Sequence, residues 1–263
     1  MNNVKKDHLG RELIVYSLPL ILSGLLQQLY NWADALIVGN VQGEAALAAI
    51  GASSVIISLF IMAITGFTSG ISILSSLRWG QKNYDCQRRI LFTFLLIVCG
   101  VTVFFSGVCI VFTKPLLVLM DTPADIFSIA VNYLVIIMIG MPFIALYNVY
   151  ASVLRGMGDS KVPFYAVLIS SILNVVLDFI FVVLCGWGAD GAAVASVISQ
   201  IAMAVFIVIY AECKYEILRK NGHKFSSLFD RKECREGTKL ALPITIQSVI
   251  TAFGNLFFTG FYE

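Results

Sequence analysis

Seven apolar runs, each close to or beyond twenty residues, set the limits on what this chain can fold into. They cover roughly 14–38, 46–76, 90–113, 126–152, 163–185, 191–211 and 240–262. About twenty apolar residues cross the hydrocarbon core of a bilayer as a helix. In lipid, only a helix or a closed barrel satisfies every backbone N–H and C=O. The expected fold is therefore an all-α polytopic membrane protein. Composition agrees: 13% of the 263 residues are charged, against about 25% in soluble domains. The first run is too long for the apolar core of a signal peptide and lacks a small-residue cleavage site, so it reads as an uncleaved span. Six unpaired-looking cysteines argue against a disulfide framework or a zinc site.

Orientation follows from the basic residues. Of the 18 Lys and Arg, 17 fall in the N-terminal arm and the loops after spans two, four and six, while Lys114 alone lies in an odd loop. Cytoplasmic loops carry this excess, which places the N-terminus and the even loops in the cytoplasm of a multi-pass cell-membrane protein. The basic cluster between spans six and seven is then a topology signal, not a nucleic-acid site. The second run is over-long and must tilt or protrude, with Gly51, Gly66 and Gly70 as places where it could bend. Pro142 falls inside the fourth span; Pro19, Pro163 and Pro243 are expected near span starts, where proline is tolerated.

Runs one and seven share a pattern. Arg11, Glu12, Leu18, Pro19 and Asn31 recur as Arg235, Glu236, Leu242, Pro243 and Asn255. Both runs point outward, as a parallel repeat requires. The expected organisation is a cytoplasmic arm over 1–13, a six-helix lobe over 14–211, a cytoplasmic inter-lobe loop over 212–239, and the first helix of a truncated second six-helix repeat over 240–263. The rest of that second lobe is then a partner missing from this chain.

Two acids lie well inside the spans, Asp34 and Asp178. A charge at that depth costs about 2.5–3.5 kcal/mol on insertion scales, so it faces a cavity or a partner. Each is fifteen residues beyond a proline near the cytoplasmic face, Pro19 or Pro163, hence about 22 Å in at 1.5 Å per residue. Helical spacing adds Gln27 and Asn31 to the stripe of Asp34, and Ser171 and Asn174 to that of Asp178. Ser196, in the small-residue run "GAAVASVISQ" of the sixth span, falls near the same level. Carboxylates, amides and a hydroxyl suit a proton or a hard cation. Either acid could instead be structural, with Asp178 reaching the outer interface and Asp34 anchoring the outer end of its helix. A shared depth and two in-register polar stripes favour a site. Gln27, Asn31, Ser171 and Tyr147 are candidate cavity lining. Tyr30, Trp32 and Tyr150 are explained more simply by interfacial belts and packing, and Asn132, Asn148 and Gln200 by hydrogen bonds between helices.

No phosphate loop, nucleophile elbow or HExxH zinc motif occurs, so no enzyme activity or cofactor is expected. Without a nucleotide site, active transport must draw on an ion gradient.

Three stretches carry a family resemblance: "LPLILSGLLQQLYNWADALIVGNVQGEAALAAIGA", "VYASVLRGMGDSKVPFYAVLISSILNVVLDFIFV" and "GADGAAVASVISQ". From about Gly10 onward the chain resembles the N-terminal lobe of a multidrug and toxic compound extrusion (MATE) transporter. The "LRGMGDSKVP" turn, with Arg155, Gly156, Asp159 and Pro163, is its most specific signature. The resemblance implies two six-helix lobes around a V-shaped cavity, with export of organic cations and drugs by alternating access in exchange for H+ or Na+. It implies a cation site at Asp34, Asn174, Asp178 and Ser196, where serine stands in place of a common threonine, and a bend in the first helix at Pro19. Cationic substrates could compete for the same carboxylates. The rival readings are a lipid-linked precursor flippase of the same superfamily, which would need cationic residues in its cavity, and a non-transporting membrane scaffold.

Overall fold

The structure is a computed structural model that describes residues 2–218 and 229–259. Among them are eight α-helices: α1 (Asn2–Gln42), α2 (Glu44–Gly80), α3 (Asp85–Val111), α4 (Thr113–Leu119), α5 (Phe127–Gly156), α6 (Lys161–Asp178), α7 (Gly188–Lys214) and α8 (Arg231–Thr259). A π-helical segment, Phe179–Leu184, continues α6, and a 3₁₀ turn, Glu216–Leu218, follows α7. Six stretches are long and apolar enough to cross a membrane: Leu13–Gln42, α2, α3, α5, Lys161–Leu184 and α7. The seventh expected run lies in α8, with its last residues outside the described range.

Several boundaries differ from expectation. The arm over 1–13 is helical from Asn2, so Pro19 sits far inside α1 and not near a helix start. Pro243 likewise lies inside α8. Their rings remove one ladder hydrogen bond each without ending the helix. Pro163 does fall in the first turn of α6, where a proline loses nothing. The expected inter-lobe loop over 212–239 is shorter, because α7 runs to Lys214 and α8 begins at Arg231.

The α2 glycines serve a purpose other than bending. A Cβ on Gly70 would lie 2.3 Å from the Ala241 Cα, and one on Gly66 would lie 2.9 Å from the Thr245 Cα. Only hydrogen at these positions lets α8 press its backbone onto α2. At the basic end the same pair is tied by ions: Arg78 Nε donates to both Glu233 oxygens at 3.0 and 3.1 Å, and its terminal nitrogen meets Glu236. Arg89 pairs with Asp230 at 3.3 Å nearby. α8 is thereby packed against α2.

Apolar side chains bury themselves in two clusters. One, with Leu74, Ile90, Phe94, Leu154 and Ile207, lies toward the basic loops. The other, with Val38, Leu117, Leu134, Met138 and Ala192, lies toward the opposite end. On α6 the first cluster stops at Val167 and the second resumes at Val182; on α7 the corresponding gap runs from Ala193 to Met203. Every polar residue expected of a site on those helices falls in these gaps.

Candidate functional site

Asp178 is the last residue of α6 before the π-helical segment. Widening a helix by one residue per turn shifts which side chains face its neighbours, and such segments recur at functional sites. Nothing in the apolar sequence "FIFVVL" signals the change of helix type. Asp178 is fully buried, and neither carboxylate oxygen has a hydrogen-bond partner among the described residues. Asp34, on α1, is 9% exposed and its Oδ1 is likewise unpartnered. Asp34 and Asp178 are carried by α1 and α6, which pack against each other, and neither forms an ion pair among the described residues.

One turn from Asp178 toward the basic loops, Asn174 donates from Nδ2 to Ser196 Oγ at 3.4 Å, and its own Oδ1 is buried without a partner. The Ser171 hydroxyl is in the same condition. Ser171, Asn174 and Ser196 wall a cavity of about 90 Å3 together with Gln27, Tyr30 and Tyr147. Tyr147 is anchored through its hydroxyl, which donates to the Pro163 carbonyl at 3.4 Å. Asn31 does not join this wall; it is exposed on α1 and bonds Gln28 at 3.4 Å. Gln200, assigned from the sequence to hydrogen bonds between helices, contributes to the cavity a buried Oε1 that has no partner among the described residues. The donor set is all oxygen, as a hydronium or a sodium ion requires.

The signature turn after α5 holds the basic end together. Asp159 Oδ1 accepts from the backbone N–H of Lys161 and Val162 at 3.1 and 3.3 Å, capping α6. Its Oδ2 accepts from Lys214 Nζ at 2.8 Å and the Tyr215 hydroxyl at 2.5 Å, tying α7 to the turn. Burial pushes the Asp159 carboxyl up, but the hydrogen bonds from Lys214, Tyr215 and Val162 outweigh it and hold the group below the usual carboxylate range. Burial and the Asp159 charge push Tyr215 up to about 12, so it stays a neutral donor. On the other side, the Arg155 carbonyl accepts from the Tyr16 hydroxyl at 2.9 Å, and the Ser160 hydroxyl donates to the Tyr16 carbonyl at 2.8 Å. Both bonds grip α1 one turn before Pro19. Gly156 lets α5 meet α2, since a Cβ there would lie 2.3 Å from Ser75 Oγ.

The described residues form a helical bundle with two buried acids, Asp34 and Asp178, on helices that pack against each other. The chain belongs to the MatE family, whose model matches residues 19–180. It is 32% identical over 222 residues to the probable multidrug resistance protein YoeA of Bacillus subtilis, covering 83% of this chain and 46% of that protein. It is 21% identical to the multidrug export protein MepA of Staphylococcus aureus over 262 residues, 96% of this chain and 55% of that one. Among solved structures it superposes on an outward-facing multidrug resistance MATE family transporter with a TM-score of 0.86 at 24% identity, covering 94% of this chain and 54% of the other. A MATE structure in the bent conformation gives 0.84 at 23% identity, covering 94% and 55%. The chain spans about half the length of the curated relatives it matches.

Proposed function

We propose that this chain is the coupling lobe of a secondary antiporter that exports organic cations in exchange for H+ or Na+. The observation that carries the reading is Asp178: fully buried, with neither oxygen hydrogen-bonded among the described residues, on a helix packed against the one that carries Asp34. A structural carboxylate at that depth would be paired, because an uncompensated buried charge costs several kcal/mol, of the order found for broken buried ion pairs (about 3–5). Two acids without a counter-charge call for a mobile cation. Asp34 and Asp178 supply charge, while Asn174 and Ser196 complete an oxygen cage for a sodium ion or the hydrogen bonds around a proton.

Loading the cage neutralises buried negative charge on α1 and α6. That changes which packing of α1 against α6 and α7 is preferred, and it biases the lobe between outward- and inward-facing states. A cationic substrate competing for the same carboxylates gives direct exchange. The names of the multidrug relatives support drug export, and the buried acids Asp34 and Asp178 favour cationic substrates over an anionic lipid-linked precursor. Localisation is the cell membrane, with the basic end in the cytoplasm.

The test follows efflux of ethidium by the full-length protein in cells lacking their own pumps, under imposed proton and then sodium gradients. Asp178→Asn at equal expression is expected to lower gradient-driven efflux at least ten-fold, and the gradient that drives the wild type identifies the ion. Wild-type efflux in the variant would remove Asp178 from the mechanism.

A further inference from the structure

We propose that a cavity at the basic end of the bundle binds the phosphate of an anionic phospholipid, whose acyl chain lies along the exposed face of α6. The inference is independent of any role of Asp34 and Asp178.

The cavity is about 650 Å3, and its walls come from α1, the end of α2, the turn between α5 and α6, and the end of α7. Arg11, Lys161 and Lys214 converge on it from three segments far apart in the sequence, and Asp159 is the one acid among its lining residues. The excess of basic residues in cytoplasmic loops explains why each is present, but not why they meet in one concavity.

Asp159 is already engaged. Its Oδ1 caps α6, and its Oδ2 accepts from Lys214 Nζ at 2.8 Å and from the Tyr215 hydroxyl. The rings of Tyr210 and Tyr215, centred 5.4 and 5.2 Å from Lys214 Nζ, help to hold the ammonium at the wall. An ammonium has three donors, so Lys214 keeps donors for a second anion. Arg11 and Lys161 are exposed, and neither has an acidic partner among the described residues. Three cations against one carboxylate leave the wall with a net positive charge. Guanidinium and ammonium groups are the donors by which proteins recognise phosphate. A phosphate held among Arg11, Lys161 and Lys214 would bridge α1, α6 and α7.

The surface beyond Lys161 makes that phosphate a lipid's. On α6, Lys161, Tyr165, Ile169, Ile172 and Val176 are exposed at i, i+4, i+8, i+11 and i+15, which is one face of a helix. This face lies apart from the buried side chains with which α6 packs against α1 and α7. From Tyr165 to Val176 it runs about 16 Å at 1.5 Å per residue, close to one leaflet's half, about 15 Å, of the hydrocarbon core. Lys161 thus stands at the head of a stripe one acyl chain long. Trp79, another wall residue, suits the headgroup level, where Trp and Tyr are enriched. A soluble phosphate compound would engage the cations and leave the stripe unused.

The test counts lipids on the delipidated full-length protein in a neutral detergent by native mass spectrometry, with phosphatidylglycerol as probe and phosphatidylcholine as comparison. The wild type is expected to bind one phosphatidylglycerol more tightly than phosphatidylcholine; equal affinities would overturn the proposal. Each cation near a membrane surface is worth about five-fold in affinity for an anionic lipid. Arg11→Gln plus Lys161→Gln is therefore expected to weaken binding about twenty-fold, and Lys161→Gln alone about five-fold. Lys82→Gln plus Lys232→Gln removes the same charge outside the cavity and is expected to leave binding within two-fold. Equal weakening by both pairs would overturn the cavity in favour of general attraction to a basic surface. Unchanged binding in the Arg11 and Lys161 variant would overturn it outright. Displacement of the lipid by equimolar inorganic phosphate would overturn the lipid in favour of a soluble anion. If the double variant fails to insert, Lys161→Gln alone decides.

Discussion

Removing Arg78 should release the cytoplasmic end of α8 from α2. Arg78 holds Glu233 through two hydrogen bonds from Nε at 3.0 and 3.1 Å. Both side chains are largely out of water, 13% and 4% exposed. Deleting one partner of a buried pair costs about 3–5 kcal/mol, because the other charge is left uncompensated. Residual exposure of Arg78 puts this pair at the lower end, about 3 kcal/mol. Glu236, 43% exposed, and the Arg89–Asp230 pair, 51% and 22% exposed, each add less than about 1 kcal/mol. At 1.4 kcal/mol per tenfold, Arg78→Ala shifts the balance between closed and parted ends about a hundred-fold. The backbone contact of Gly70 with Ala241 is untouched, so parting is confined to the ends. Spin labels at Lys82 and Lys232, in the otherwise cysteine-free full-length protein in nanodiscs, report the distance. The wild type is expected to give one short distance and Arg78→Ala a second, longer population, with Arg78→Glu plus Glu233→Arg restoring the first. An unchanged distance distribution together with an unchanged unfolding midpoint in Arg78→Ala would refute the reasoning.

Two further outcomes are expected. Asp159→Asn keeps the shape of the turn but loses a charged acceptor, and should cost about 1.5–3 kcal/mol. Because the folded carboxyl sits below its ordinary value, the stabilisation is complete above the usual carboxylate range and is lost as pH falls through the lower folded value. The stability difference between wild type and variant should hold from pH 5 to 8 and close below about pH 4, as read by thermal unfolding in detergent. Gly70→Val must push the α2 and α8 backbones apart, since a Cβ there would lie 2.3 Å from Ala241 Cα. It should lower stability by about 1–3 kcal/mol, whereas Gly51→Ala, where a Cβ meets nothing within 4 Å, should leave the unfolding midpoint within a degree or two.

The fold class was legible in the sequence because lipid allows so few structures. A continuous run of twenty apolar residues, without the alternation of a barrel strand, satisfies its backbone in lipid as a helix, and Arg11, Lys161 and Lys214 from three basic segments line one cavity. The intramembrane acids were legible for the same reason, since a carboxylate in a run such as "SILNVVLDFIFVVL" is too costly to be incidental. Helical spacing then placed Ser171, Asn174 and Asp178 on one face, as the structure has them.

What only the tertiary structure decided is which faces meet. Spacing put Asn31 in the stripe of Asp34, but α1 turns that part of its surface away from α6 and leaves Asn31 exposed. Gly66 and Gly70 read as points of bending within one helix, whereas they are points of contact between two. Pro19 and Pro243 were expected near span starts; the structure adds that helix continues on both sides of each. Gln200 looked like an ordinary packing residue until the fold put it in the wall of the chamber at Ser171, Asn174 and Ser196. Composition and period report the solvent each residue must meet, and the bilayer makes that report unusually strict. They carry nothing about the rotation of one helix against another, which is settled by packing between residues far apart in the chain.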